Sequence, residues 1–187
     1  MLDKILSIDE KLFVYLNSLG SETYDGLWLI ITKQTSWTPL FLLLLFLIFK
    51  ELGIKKTLHL LLFIAVLLLF TDQITNLFKN GFQRLRPCNN PEINSIIRIV
   101  QSRKSFSFFS GHAANTMAIS TFLFLIFKKN FNYLWLLFLW PLIFAYSRIY
   151  LGLHYPLDIL CGYVFGAISG FLMFKLYRIS ENRNFPV

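Results

Sequence analysis

Residues 58–70 are apolar except for His59, and a more polar turn extends the run to Phe78. A helix of about 20 apolar residues spans the roughly 30 Å hydrocarbon core of a bilayer, so this stretch constrains the chain more than any other. Four further stretches read the same way: 37–49, 113–127, 131–146 and 157–177. Residues 37–49 alone are too short to cross. We therefore join 24–31 to them as one span, with the Lys33 ammonium snorkelling towards the headgroups. Hydrophobic residues make up 56% of the chain and aromatics 18%, more than a soluble domain carries. The expected fold class is all-α, a polytopic transmembrane helical bundle with five spans by this reading.

Residues 1–20 differ, because Leu6, Leu12, Phe13, Leu16 and Leu19 alternate with Asp3, Lys4, Asp9, Glu10 and Lys11. This pattern predicts an amphipathic helix lying in the interface. It also lacks a signal peptide's order of charge, apolar core and small-residue cleavage site. No Ser/Gly/Pro linker, repeat or low-complexity block divides residues 1–187, so a single membrane-embedded domain is expected.

The one long polar segment, 79–111, joins the second and third spans, and a short connector, 147–156, joins the fourth and fifth. Alternation of spans puts both on the same side. Lys50, Lys55, Lys56, Lys128, Lys129, Lys175, Arg178 and Arg183 gather on the other side, and short Lys/Arg-rich loops face the cytoplasm. The expectation is a multi-pass protein of a bacterial inner membrane with 79–111 facing the periplasm. The formal net charge of +8 sits beside spans and not along a soluble face, so lipid headgroups and phosphate are the expected partners and nucleic acid is not. Cys88 and Cys161 have no metal-ligand spacing, and no disulfide, metal or cofactor is expected. Oligomeric state is not legible.

The two same-side segments hold an ordered set of reactive residues. Lys79 precedes Arg86-Pro87, Ser110-Gly111-His112 opens the third span, and Arg148 is followed by His154 and then Asp158. If a helix begins near Tyr155, His154 and Asp158 lie within one turn, so the carboxylate can orient the imidazole. The other reading is a histidine near a helix start with a chance acid, but an acid at the mouth of an apolar span is costly without a partner. Ser110-Gly111 is an ordinary helix start or, because such a start offers free N–H groups, a phosphate site. His112 stands where it could protonate a departing oxygen. Lys79, Arg86 and Arg148 suit phosphate clamps, although each alone reads equally as an interfacial anchor. Arg84, Arg98, Arg103 and Lys104 read as solvated loop charge, His59 as an interfacial residue, and Asp72 and Asn76 as a hydrogen-bonded pair on the second span.

Taken together, Lys79, six residues, Arg86-Pro87; Ser110-Gly111-His112; and Ser147-Arg148, five residues, His154, three residues, Asp158 resemble the type 2 phosphatidic acid phosphatase superfamily. Phe109 occupies the position where that family's middle block has proline. The resemblance implies six spans in place of five and a metal-free hydrolase. His154 would be the nucleophile oriented by Asp158, and His112 the acid and then the base. Lys79, Arg86, Ser110, the Gly111 amide and Arg148 would hold the phosphoryl oxygens. A small bundle with its site at the bilayer surface suits a lipid phosphate. Undecaprenyl diphosphate is the preferred expectation, with phosphatidylglycerophosphate, phosphatidic acid and a lipid A phosphate as alternatives. A vanadium-dependent oxidase and a non-enzymatic membrane scaffold or transporter are the readings of other classes.

Overall fold

The computed structural model describes residues 2–185, and among them every regular element is helical. Six α-helices follow in order: α1 (Leu2–Ser18), α2 (Glu22–Ile31), α3 (Thr38–Phe82), α4 (Gly111–Phe127), α5 (Leu139–Tyr150) and α6 (Pro156–Asn184). Leu42, Phe46, Leu62, Leu69, Leu160 and Leu176 lie exposed along α3 and α6, as in helices whose solvent is hydrocarbon.

α3 is not one rod. Gly53 breaks it at φ 68°, ψ 175°, a conformation open essentially to glycine alone. Phe41 and Leu68, which a straight helix would hold about 40 Å apart, line the same cavity, so the two arms fold back on one another. The expected first and second spans are these two arms. The expected union of 24–31 with 37–49 is not a continuous helix: α2 stops at Ile31, and a tight turn at Gln34–Trp37 starts the next element. Pro39 at the second position of α3 supplies no N–H, and the polar run from Thr32 to Ser36 favours the turn.

The centre of the bundle is the pair α4 and α6. Gly162, Gly166 and Gly170 recur every four residues and form one ridge of α6. A Cβ on each would come within 2.7 Å of the Ser110 carbonyl, 2.3 Å of Ala114 and 2.4 Å of Ala118 respectively, so the two backbones touch where side chains would otherwise hold them apart. Around the far end, Leu60, Leu67, Phe122, Leu123, Trp140, Phe144, Met173 and Tyr177 form the main core. α1 packs its buried face, Asp9, Phe13 and Asn17, against α5 and α6, and Asn17 donates to the Ile149 and Tyr150 carbonyls at 3.1 Å each.

The segment between α3 and α4 is tied to the α5–α6 connector through its backbone. Cys88 N donates to Gly152 O at 3.1 Å, Gln101 N to Leu151 O at 3.2 Å, and Ser110 N to Asp158 O at 3.0 Å. The two polar connectors therefore meet on one end of the bundle, as span parity required.

Candidate active site

At that end opens a cavity of about 370 Å³. Its walls include Lys79 from the last turn of α3, Arg86 and Arg103 from the following segment, Gly111 and His112 from the start of α4, Arg148 from α5, and His154 from the turn before α6. α3 continues to Phe82, so Lys79 stands on a helix and the loop proper starts at Gln83.

His154 is 1% exposed and held from both sides. Arg86 Nη1 lies 2.9 Å from its Nε2 and donates to the Leu153 carbonyl at 2.8 Å. Because a guanidinium can only donate, Nε2 carries the lone pair and Nδ1 the proton. Nδ1 faces Ser107 Oγ at 3.3 Å and Asp158 Oδ2 at 3.4 Å. Burial first, then the positive charges of Arg86, Arg148 and Lys79, push the His154 pKa well below the ordinary histidine value. Both effects favour the neutral imidazole, with its Nε2 lone pair engaged by Arg86, itself a wall residue of the cavity.

Asp158 is fully buried, and each of its oxygens is occupied. Oδ2 accepts from the Tyr155 backbone N–H at 3.0 Å, satisfying the N-cap amide at the start of α6, and from Ser107 Oγ. Oδ1 accepts from Arg84 Nη1 at 2.8 Å. Arg84 lies with its guanidinium carbon 3.9 Å from the Tyr155 ring centroid, and its Nη2 donates at 2.7 Å to Asp9 on α1. Asp9 in turn accepts from the Leu157 N–H at 2.8 Å, so α1 reaches the catalytic-looking end of α6 through a charged chain. Burial opposes the charge on Arg84, but Asp158 and Asp9 overcome it and raise its pKa.

The reading of Arg84 as solvated loop charge is therefore corrected: it links two buried acids. Arg103 lines the cavity, and Arg98 pairs with Asp25 at 2.9 Å, so neither is loose loop charge. His59 meets Ser180 Oγ at 3.2 Å, supplied by α6. Asn76 Nδ2 donates to Asp72 Oδ2 at 3.2 Å as the spacing suggested, and both line the cavity. Ser107 and Arg84 had no signal in the sequence beyond lying near the motif blocks.

Gly111 carries no side chain where one would approach Thr75 at 3.3 Å and the Lys79 ammonium at 3.8 Å, so the lysine can close on the first turn of α4. Ser110 is fully buried and outside the cavity lining, with its Oγ accepting from Ala113 N at 3.4 Å as the helix cap. Arg148, 1% exposed, donates to Thr32 Oγ1 at 2.5 Å, while its Nε has no partner. Among the described residues, Lys79, Arg86, Arg103 and Arg148 make no ion pair with a carboxylate. Four cations around one partly enclosed cavity, with Asp72 the one carboxylate in its lining among the described residues, are costly unless an anion fills it.

The model of the PAP2 superfamily matches residues 56–181. A lipid A 4'-phosphatase of Bacteroides thetaiotaomicron is 33% identical, over 93% of this chain and 79% of that protein. An undecaprenyl-diphosphatase of Sulfolobus acidocaldarius is 27% identical, over 91% and 79%. Of solved structures, Aquifex aeolicus LpxE superposes with a TM-score of 0.65 at 24% identity, covering 88% of this chain and 93% of that one. The transmembrane PAP2-type phosphatidylglycerolphosphate phosphatase of Bacillus subtilis gives 0.69 at 20% identity, covering 98% and 89%. The cation-lined cavity with its oriented histidine, the shared bundle and the matched family model lead to one assignment: the chain belongs to the PAP2 superfamily and is a phosphatase.

Proposed function

We propose that the protein removes a phosphate from a membrane lipid, with lipid A phosphate as its substrate, through a phosphohistidine at His154. The observation that carries this reading is the set of unpaired cations, Lys79, Arg86, Arg103 and Arg148, converging on a buried neutral imidazole. His112 takes up a proton once the bound phosphate offsets the surrounding cations; His154 Nε2 attacks phosphorus, the bond from phosphorus to the lipid oxygen breaks, and His112 gives that oxygen its proton. Asp158 and Ser107 keep the proton on Nδ1 throughout. Arg86 leaves Nε2 for the phosphoryl oxygens, where Lys79, Arg148 and the Gly111 N–H join it. Ser110 contributes by capping the turn that presents that N–H. Water, deprotonated by His112, then cleaves the phosphorus–nitrogen bond and frees inorganic phosphate and His154. No step requires a metal.

A lipid substrate is supported by a second, apolar groove of about 300 Å³, lined by Leu44, Leu45, Ile48, Leu61 and Ile64 between the two arms of α3. Gln34, Phe41, Leu68 and Ile119 line both spaces, so a headgroup in the cavity leaves its tails in the groove. The 33% identity to a lipid A 4'-phosphatase, against 27% to an undecaprenyl-diphosphatase, supports lipid A phosphate ahead of the prenyl diphosphate preferred from sequence. The Lys/Arg-rich opposite end supports a cytoplasmic-membrane protein with this site on the outer face.

The test is phosphate release from lipid A by purified protein in excess EDTA. Wild type is expected to be active and His154→Ala to lose at least about 10³-fold with its thermal transition retained. Full activity in His154→Ala would refute the phosphohistidine. Loss of wild-type activity in EDTA, restored by a divalent ion, would refute the metal-free route.

A further inference from the structure

The cavity is much larger than its anion. A phosphate fills about 60 Å³, two water volumes of roughly 30 Å³ each, against the cavity's approximately 370 Å³. Besides its cations the lining includes a collar of uncharged and acidic residues, Gln34, Trp37, Asp72, Asn76, Asn115 and Trp140, and Gln34 also lines the apolar groove.

We propose that this collar is a saccharide subsite, with Asp72 and Asn76 as the residues that set headgroup specificity; the proposal rests on the phosphatase reading above. Asp72, Asn76 and Lys79 follow at i, i+4 and i+7, so one face of α3 carries the sugar-binding pair and then the phosphate clamp. Asn76 Nδ2 donates to Asp72 Oδ2 at 3.2 Å, which leaves Asp72 Oδ1 and the Asn76 carbonyl as acceptors. The Asn115 side-chain amide meets Thr71 Oγ1 at 2.6 Å, and because that hydroxyl also reaches the Leu67 carbonyl at 2.9 Å, Asn115 keeps at least one amide hydrogen as a donor. Trp37 and Trp140, with centroids 6.2 Å apart, and Phe41, 5.3 Å from Trp140, supply aromatic surface to the same lining.

A pyranose has the complementary chemistry: hydroxyl or amide N–H donors at its edge and an apolar C–H face. The competing headgroups do not. The second phosphate of a prenyl diphosphate would add negative charge to a lining that already carries the Asp72 carboxylate, and like charges repel. The glycerol esters of phosphatidate only accept hydrogen bonds, so they offer no donor to Asp72 and Asn76. The collar thus selects a phosphomonoester carried on a hydroxyl- or amide-bearing ring.

The experiment measures kcat/KM for three substrates in mixed micelles: an acylated glucosamine phosphate, undecaprenyl diphosphate and dioleoyl phosphatidate. Wild type is expected to prefer the sugar phosphate at least about tenfold over either of the others. Asp72→Asn and, independently, Asn76→Leu are expected to lower that preference by about tenfold, mainly through KM for the sugar substrate. A wild type that prefers the diphosphate, or variants that lose activity on all three substrates by the same factor or on none, would overturn the subsite. Absence of any His154-dependent phosphate release would instead overturn the phosphatase reading.

Discussion

Arg84→Gln is the perturbation that best separates geometry from motif. Arg84 is the shared partner of Asp158, fully buried, and Asp9, 5% exposed, at 2.8 and 2.7 Å. Glutamine keeps an amide donor but removes the charge, so two buried carboxylates lose their counter-ion together. Removing one member of a buried ion pair costs about 3–5 kcal/mol. Arg84 itself is 18% exposed, which allows some solvent screening and favours the lower end, about 3 kcal/mol. For a chain of this length that corresponds to a fall of about 6 °C or more in apparent Tm in detergent. Asp158 would also lose the contact that fixes Oδ1 and be freer to rotate under His154. Misplacing a catalytic group by about 1 Å costs about 10²-fold, so kcat is expected to fall by that factor with KM little changed. Adding Asp9→Asn relieves one stranded carboxylate and should recover part of the stability but not kcat. Arg84→Gln with wild-type Tm and kcat, or full recovery of kcat in the double variant, would refute the argument.

Two further outcomes test other parts of the structure. Gly166→Ala puts a methyl 2.3 Å from the Ala114 carbonyl oxygen, and forcing α4 and α6 apart should cost about 1–3 kcal/mol, read as a lowered Tm; an unchanged Tm would mean the backbones do not touch. The depressed His154 pKa means that the unfolded chain binds a proton near pH 6.5 that the folded one refuses, so its contribution is complete above that pH and is lost as pH falls below it. Thermal denaturation at pH 7.5 and 5.5 should show lower stability in acid with a smaller difference in His154→Gln, and an equal difference in both would exclude His154 as a source.

The chemistry was more legible in the sequence than its support. Lys79, Arg86, His112, Arg148, His154 and Asp158 stand at offsets that a reaction requires, and span parity put their segments on one end. Arg84 escaped because its meaning depends on Asp9, 75 residues earlier, brought near only by the packing of α1. Arg103 escaped for the same kind of reason, since a loop cation becomes a wall residue only once the loop is folded. The bend at Gln34–Trp37 was hidden because apolar composition on both sides resembles one interrupted span. Ser110 carried a helix-cap signal and a phosphate signal at once, and the packing of Asp158 against its backbone turned its hydroxyl to the cap. The Gly162, Gly166 and Gly170 ridge was readable as a small-residue spacing, but its partner on α4 was not.

That ridge divides the labour of the molecule. His112, His154 and Asp158 sit at or just before the starts of α4 and α6, two helices in direct backbone contact, whereas the apolar groove lies largely between the arms of α3. Substitutions in that groove can therefore reshape which tail is accepted without moving His112, His154 and Asp158 relative to one another, whereas the headgroup pair Asp72 and Asn76 shares α3 with the Lys79 clamp. A chain built this way can exchange its lipid tail over evolutionary time while retaining its reaction, because tail recognition and the histidine chemistry are mounted on separate pieces of the frame.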